Sequence, residues 1–282
     1  LTSPGTATSF ALRLRLHHKA ARAGGARILL PMPSLRIAAA QSVSIPGNIV
    51  ANVAEHCKFI VGASACGVDI VVFPELSLCG YELSLLAGCA LDPDDKVLAP
   101  IRELATAKGV SVVVGAPILS LSSHIHIGAI TFLPNGETSI YRKQHLHSGE
   151  ERFASAGPAG CITHSIGGEI AALAICADIA HEQHPRVAAA AGASLYLASV
   201  LVSEAGYAAD AGNLQRYAKS YKMATLMANH GGPTGGYLSA GKSAFWSQDG
   251  KLVVAAPSTG RCLIIASRTS EGWVGDLRKV ET

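Results

Sequence analysis

No acidic residue precedes Glu55, whereas the first 31 residues carry five basic ones: Arg13, Arg15, Lys19, Arg22 and Arg27. The whole chain of 282 residues has 23 Lys plus Arg and 20 Asp plus Glu, so from Met32 onward 18 basic groups face 20 acidic ones. The basic excess therefore belongs to a leader, and the body carries no electrostatic footprint for nucleic acid. Equally absent is an uncharged apolar run of the roughly eighteen residues that suggest a membrane span. The stretch from Ala188 to Val202 is alanine-rich but broken by a glycine and two serines, so no membrane partner is expected. The seven cysteines include no CxxC pair, which argues against a disulfide framework and for a reducing, cytoplasmic setting. None of the 11 histidines has HExxH spacing, and Gly231-Gly-Pro-Thr-Gly-Gly236 lacks the Lys-Ser/Thr ending of a phosphate loop. Neither a metal site, nor a nucleotide site, nor any other cofactor is expected.

What remains is a chain rich in buried-core material. At 49% hydrophobic residues, residues 32–282 suffice for a single α/β domain. Residues 1–31 are read as a basic leader or an upstream-derived extension outside the fold; a transit peptide has similar composition.

Strands and helices alternate along the body. Leu35 to Gln41 is an apolar strand, and Asn48 is a plausible N-cap for a helix whose expected apolar face is Val50, Val53, Ala54, Cys57, Ile60 and Val61. Asp69 to Phe73 follows as a parallel strand. Asp92-Pro-Asp-Asp is expected to open a helix that closes at Lys108-Gly109. Ile125 to Leu133 and Thr138 to Lys143 flank Asn135-Gly136, a turn pair with positive φ expected at both residues. Cys161 to Ile166 and Glu169 to Cys176 form a second hairpin across Gly167-Gly168. Later strands are expected at 194–199, 224–229, 242–246, 252–256 and 262–266, with helices after Cys176 and over 209–222.

Three strand ends carry chemistry. Glu169-Ile-Ala-Ala-Leu-Ala-Ile-Cys176-Ala-Asp178 is a continuous apolar run ending in a thiol and a carboxylate. Asp69-Ile-Val-Val-Phe-Pro-Glu75 ends at a proline and a carboxylate, with Gly80-Tyr81 beyond it. Tyr141-Arg-Lys143-Gln-His-Leu146 places an ammonium after a short strand. Taken alone, a free cysteine is commonly a small core residue. With a base and a cation beside it, it can become a nucleophile.

These motifs, in this order over about residues 35–267, resemble the nitrilase superfamily of carbon-nitrogen hydrolases. The resemblance implies a four-layer αββα sandwich with two mixed β-sheets, which periodicity does not separate from a doubly wound sheet. It also implies a thiol hydrolase acting on a small amide or N-carbamoyl compound through a thioester. Glu75 would be the base, Cys176 the nucleophile, and Lys143 with the backbone N–H of Ala177 the oxyanion donors. The family's second glutamate stands about seven residues before a glycine, which fits Glu150 before Gly157; Glu151 is the competing assignment. Asp178 is expected to fix the turn rather than react. Where family members often read Cys-aromatic-Asp followed by Phe-Pro-Glu, this chain has Ala177 and His181, so no substrate is carried over from any branch. Nitrile hydrolysis and a non-catalytic ligand-binding or scaffold role are the alternatives. Family members pair through helices near the nucleophile, so a homodimer or higher assembly is expected.

Tyr81, Ser199 and His230 are candidates for the pocket mouth. A carboxylate-bearing substrate would call for an arginine fork. Arg186 and Arg216 lie on expected helices, so a neutral or weakly polar small substrate is the expectation.

Overall fold

The structure is a computed structural model that describes residue 1, residues 35–120 and residues 123–280. Leu1–Met32 and Pro33–Thr282 are separate units, and every element below belongs to the second. The leader expected over residues 1–31 lies outside the described residues apart from Leu1.

In chain order the elements are β1 (Arg36–Gln41), α1 (Ile49–Ala65), β2 (Ile70–Val72), the short α2 (Leu86–Cys89) and α3 (Ala99–Lys108). Then come β3 (Ser111–Leu119), β4 (Ile125–Phe132), β5 (Thr138–Arg142), β6 (Thr163–Ile166), β7 (Glu169–Ile175), α4 (Gln183–Ala190) and β8 (Leu195–Val200). The chain ends with α5 (Tyr207–Tyr221), β9 (Ala224–Asn229), β10 (Ala244–Trp246), β11 (Leu252–Ala255), β12 (Cys262–Thr269) and β13 (Gly272–Lys279). One sheet has seven strands ordered β13-β12-β1-β2-β3-β4-β5, and the other has six ordered β11-β10-β9-β8-β7-β6. Both are mixed: β1 runs parallel to β2 and antiparallel to β12, and β7 runs parallel to β8 and antiparallel to β6.

Side-chain alternation along the strands builds the layers. On β1, Ile37 and Ala39 enter a central core with Ala171, Leu173 and Ile175 of β7, joining the two sheets. Ala38 and Ala40 point the other way, into a core shared with Phe59 and Ile60 of α1 and Ile101 and Ala105 of α3. Ala172 and Ala174 of β7 likewise turn outward toward Ala188 of α4 and Leu214 and Ala218 of α5. Three apolar layers between four structural layers give the αββα sandwich.

Several local signals act as the residues suggest. The Asn48 side chain accepts from Ala51 N–H at 3.1 Å to start α1, and Gly109 ends α3 in the left-handed region at φ 66°. Other expectations are corrected. Val50, Ala54 and Val61 of α1 are exposed, and the helix instead turns Asn52 and His56 inward. Asn52 Nδ2 donates to the carbonyls of Ile45 and Leu78, while His56 Nε2 lies 2.9 Å from Ser77 Oγ. Asn52 thereby satisfies the Leu78 carbonyl in the turn after β2, and His56 fixes the Ser77 hydroxyl beside it. The aspartates at 92–95 form a turn of their own, and α3 starts at Ala99 with Pro100 in its first turn. In the β4–β5 turn Gly136 alone takes positive φ. β13 had no expected counterpart; it pairs with β12 as the edge strand of the larger sheet.

Candidate active site

Glu75 follows Pro74, just beyond the end of β2 at Val72, in a tight turn where Leu76 has φ 51°. Gly115 of β3 presses against this turn so closely that a Cβ there would clash with Pro74 O and Leu76 N. His230 Nε2 donates to the Glu75 carbonyl at 2.7 Å. Burial lowers the His230 pKa to about 4, so the imidazole is neutral, and its Nδ1 is left buried without a partner.

Lys143 follows β5, tied by its N–H to Ile127 O at 2.8 Å and by its carbonyl to Gly157 N–H at 2.7 Å. A Cβ on Gly157 would collide with the backbone of Arg142, which is a steric reason for glycine at that spacing. The fully buried Lys143 Nζ donates to Glu75 Oε1 and Glu150 Oε1, both at 2.7 Å. Glu150 also accepts from Tyr81 OH at 2.6 Å and, through Oε2, from His147 N–H at 2.8 Å. Glu151, the competing assignment, is exposed and accepts instead from Gly149 N–H. The geometry therefore puts Glu150 against the lysine.

Burial opposes two carboxylates around one ammonium. It raises the Glu75 pKa to about 7, with Lys143 pulling down and Glu150 pushing up. For Lys143, burial alone would lower the pKa, but the neighbouring Glu75 and Glu150 carboxylates outweigh it and hold the ammonium protonated. Glu75 Oε2 is buried with no hydrogen-bond partner.

β7 stops at Ile175, one residue short of the expected end, and Cys176 opens a single-turn helix over Cys176–Ala180. Its φ of 43° is unusual for a non-glycine residue and costs on the order of 1–3 kcal/mol, supplied by the surrounding fold. Asp178 supplies much of that support. Its Oδ2 accepts from Ile175 N–H at 3.0 Å and Tyr141 OH at 2.7 Å, and its Oδ1 from Gln144 N–H at 3.1 Å and His145 N–H at 2.9 Å. One buried carboxylate thus ties the cysteine turn to the segment carrying Lys143. Behind it, His184 lies between Tyr141 OH and Tyr196 OH at 2.7 and 2.8 Å, and His145 stacks on His181. Burial and the nearby Glu75 charge push the Cys176 pKa well up, with Lys143 opposing, so the resting group is a thiol.

A cavity of about 170 Å³ opens over the cysteine, lined by Tyr81, His147, Cys176, Leu201, Val202, Ser203, Gly206, Asp210 and Tyr237. Tyr81 is in this wall. Ser199 and His230, expected at the mouth, are not: Ser199 is buried on β8, paired between Ile175 and Ala228, and His230 lies behind Glu75. Ala177 follows Cys176 within the same short helix. His147, Asp210 and Tyr237 were not legible as wall residues, because a polar residue in a loop or at a helix start is ordinary in sequence.

A family model described as carbon-nitrogen hydrolase matches residues 36–274. The chain belongs to that family. Among solved structures, the crystal structure of an amidase from Nesterenkonia sp. has a TM-score of 0.76 at 25% identity, covering 83% of this chain and 89% of that one. A variant of the Nesterenkonia AN1 enzyme, described as an amidase from the nitrilase superfamily, matches at TM-score 0.76 and 25% identity over 82% and 90% of the two chains. An alanine variant of that amidase in complex with butyramide matches at 0.77 and 25%, over 85% and 93%. A Pseudomonas protegens protein described as a hydrolase in the pqqF 5' region is 29% identical over 168 residues, which is 58% of each chain. As in those amidase structures, this carbon-nitrogen hydrolase folds as an α/β protein with two mixed sheets.

Proposed function

We propose that this family member is a thiol amidase that cleaves the carbon-nitrogen bond of a small amide or N-carbamoyl compound. The observation that carries the reading is the buried Glu75–Lys143–Glu150 cluster beneath a cavity walled by Cys176. Glu75, with a pKa raised to about 7 by burial, matches a base that must gain and lose a proton near neutrality. It takes the Cys176 proton, and the thiolate attacks the amide carbon. Charge on the carbonyl oxygen is met by Lys143 and the Ala177 N–H. Glu75 returns the proton to the leaving nitrogen, releasing ammonia or an amine and leaving a thioester. Water then attacks with Glu75 again as base, freeing the acid and the thiol. Glu150 positions Lys143. The amidase bound to butyramide supports an amide over a nitrile, and the small cavity favours a compact molecule over a peptide.

Ammonia release from a panel of small amides tests this directly. Cys176→Ala is expected to abolish it and Glu75→Gln to reduce it at least about 100-fold; unchanged rates in either variant would refute the proposed chemistry. All seven cysteines are free, which supports a reducing, cytoplasmic compartment. The homodimer expected through the alanine-rich α4 is checked by sedimentation mass.

A further inference from the structure

We propose that the substrate carries a protonated amine beside its amide, and that Asp210 is the residue that selects it. The inference rests on the amidase reading of the same site and adds its substrate class. Asp210 sits in the first turn of α5 and faces the cavity that holds Cys176. Among the described residues its carboxylate has no hydrogen bond and no ion pair. Asp210 is not the cap of α5, which is Gly206, and it accepts from no backbone N–H. Its partly buried carboxyl is pushed upward in pKa by burial, with His147 across the wall pulling it down.

The rest of the site has the same sign. Among the described residues no lysine or arginine lines the cavity, and the floor holds two carboxylates, Glu75 and Glu150, against the single ammonium of Lys143. Arg186, the first candidate for an arginine fork, bonds Gln183, and Arg216 is paired with Glu182 at the surface. A carboxylate-bearing substrate therefore meets the Asp210 carboxylate in the wall and a floor whose one ammonium is already shared by two carboxylates. A neutral amide offers the half-buried Asp210 carboxylate no partner. A protonated amine a short distance from the amide satisfies the aspartate and balances the floor, and the cavity of about 170 Å³ keeps that distance short. This replaces the neutral substrate expected from sequence.

The test uses three amides of similar size: butyramide, β-alaninamide and malonamate, which are neutral, cationic and anionic at pH 7. For ammonia release, kcat/KM is expected to be about 10-fold to 100-fold higher for β-alaninamide than for butyramide, the range for a hydrogen bond to a charged group. Malonamate should be the poorest. Asp210→Asn should collapse the ratio toward one, and Asp210→Glu should restore part of it. A second readout does not depend on amide hydrolysis: alkylation of Cys176 by bromoethylamine, iodoacetamide and iodoacetate, each rate normalised to free cysteine. The cation should react fastest and the anion slowest, and Asp210→Asn should compress the order. If no amide is cleaved while the alkylation order holds and depends on Asp210, the amidase reading fails and the anionic selector stands. Butyramide or malonamate as the best substrate, no charge order in alkylation, or an order that persists in Asp210→Asn would overturn the proposal.

Discussion

At the floor of the site, Glu75, Lys143 and Glu150 are fully buried and joined by bonds of 2.7 Å. At the mouth, Tyr237 is 47% exposed and the neighbouring Leu238 76% exposed, on a hairpin closed by two bonds between Thr234 and Tyr237. The floor is delivered by strand ends whose backbones are held by the core. The mouth is delivered by a glycine-rich loop, clamped where Tyr81 N–H donates to Thr234 Oγ1 at 2.8 Å and Gly235 N–H to Glu82 Oε1 at 2.8 Å. A rigid floor suits chemistry, which needs reacting groups held within fractions of an ångström. A less buried mouth suits selection, because its residues change without disturbing the core.

Lys143→Met breaks the floor most severely. It strands two buried carboxylates, which is expected to cost about 3–5 kcal/mol of stability. It also removes the proposed oxyanion donor, which is expected to lower kcat about 100-fold to 1,000-fold; denaturant melts and turnover measured on the same preparation check both. Asp178→Asn tests the tie between the cysteine turn and the lysine segment. It exchanges one acceptor for a donor among four donors, so kcat is expected to fall about 10-fold to 100-fold with little change in KM. A fall confined to KM would show that Asp178 serves binding instead.

The pH profile sharpens the contrast further. Protonated Glu75 has no capacity to accept the thiol proton, so kcat/KM should drop as pH falls through about 7. No alkaline limb is expected near neutrality, since Cys176 and Lys143 are both held above their ordinary values. The measurement is a pH series on one amide, and an acid limb near the ordinary carboxylate range would contradict the burial argument. The smallest effect belongs to the mouth. Tyr237→Ala removes an edge-on contact with Tyr81, ring centroids 5.8 Å apart, and should change stability by at most about 1 kcal/mol. Its KM is expected to shift a few-fold while kcat persists.

Sequence by itself determined the local pieces: the strands that lead to Glu75, Lys143 and Cys176, the Asn48 cap, the glycine ending α3, and the order of the main strands and helices up to β12. Each rests on neighbours within a few residues, where periodicity and capping chemistry act. The tertiary structure decided the rest. Lys143 meets Glu75 across 68 residues, and Tyr81 meets Glu150 across 69; that second contact accompanies the burial of Glu150 while Glu151 faces solvent. The buried face of α1 follows the carbonyls of a turn it packs against, so polar Asn52 and His56 displaced Val50 and Val61 inside. β13 pairs at the sheet edge with mostly exposed side chains, leaving little hydrophobic signal to read. Asp210 and His147 become one wall only when α5 and the segment after Lys143 close over Cys176, since charge spacing along a chain does not encode distance in space.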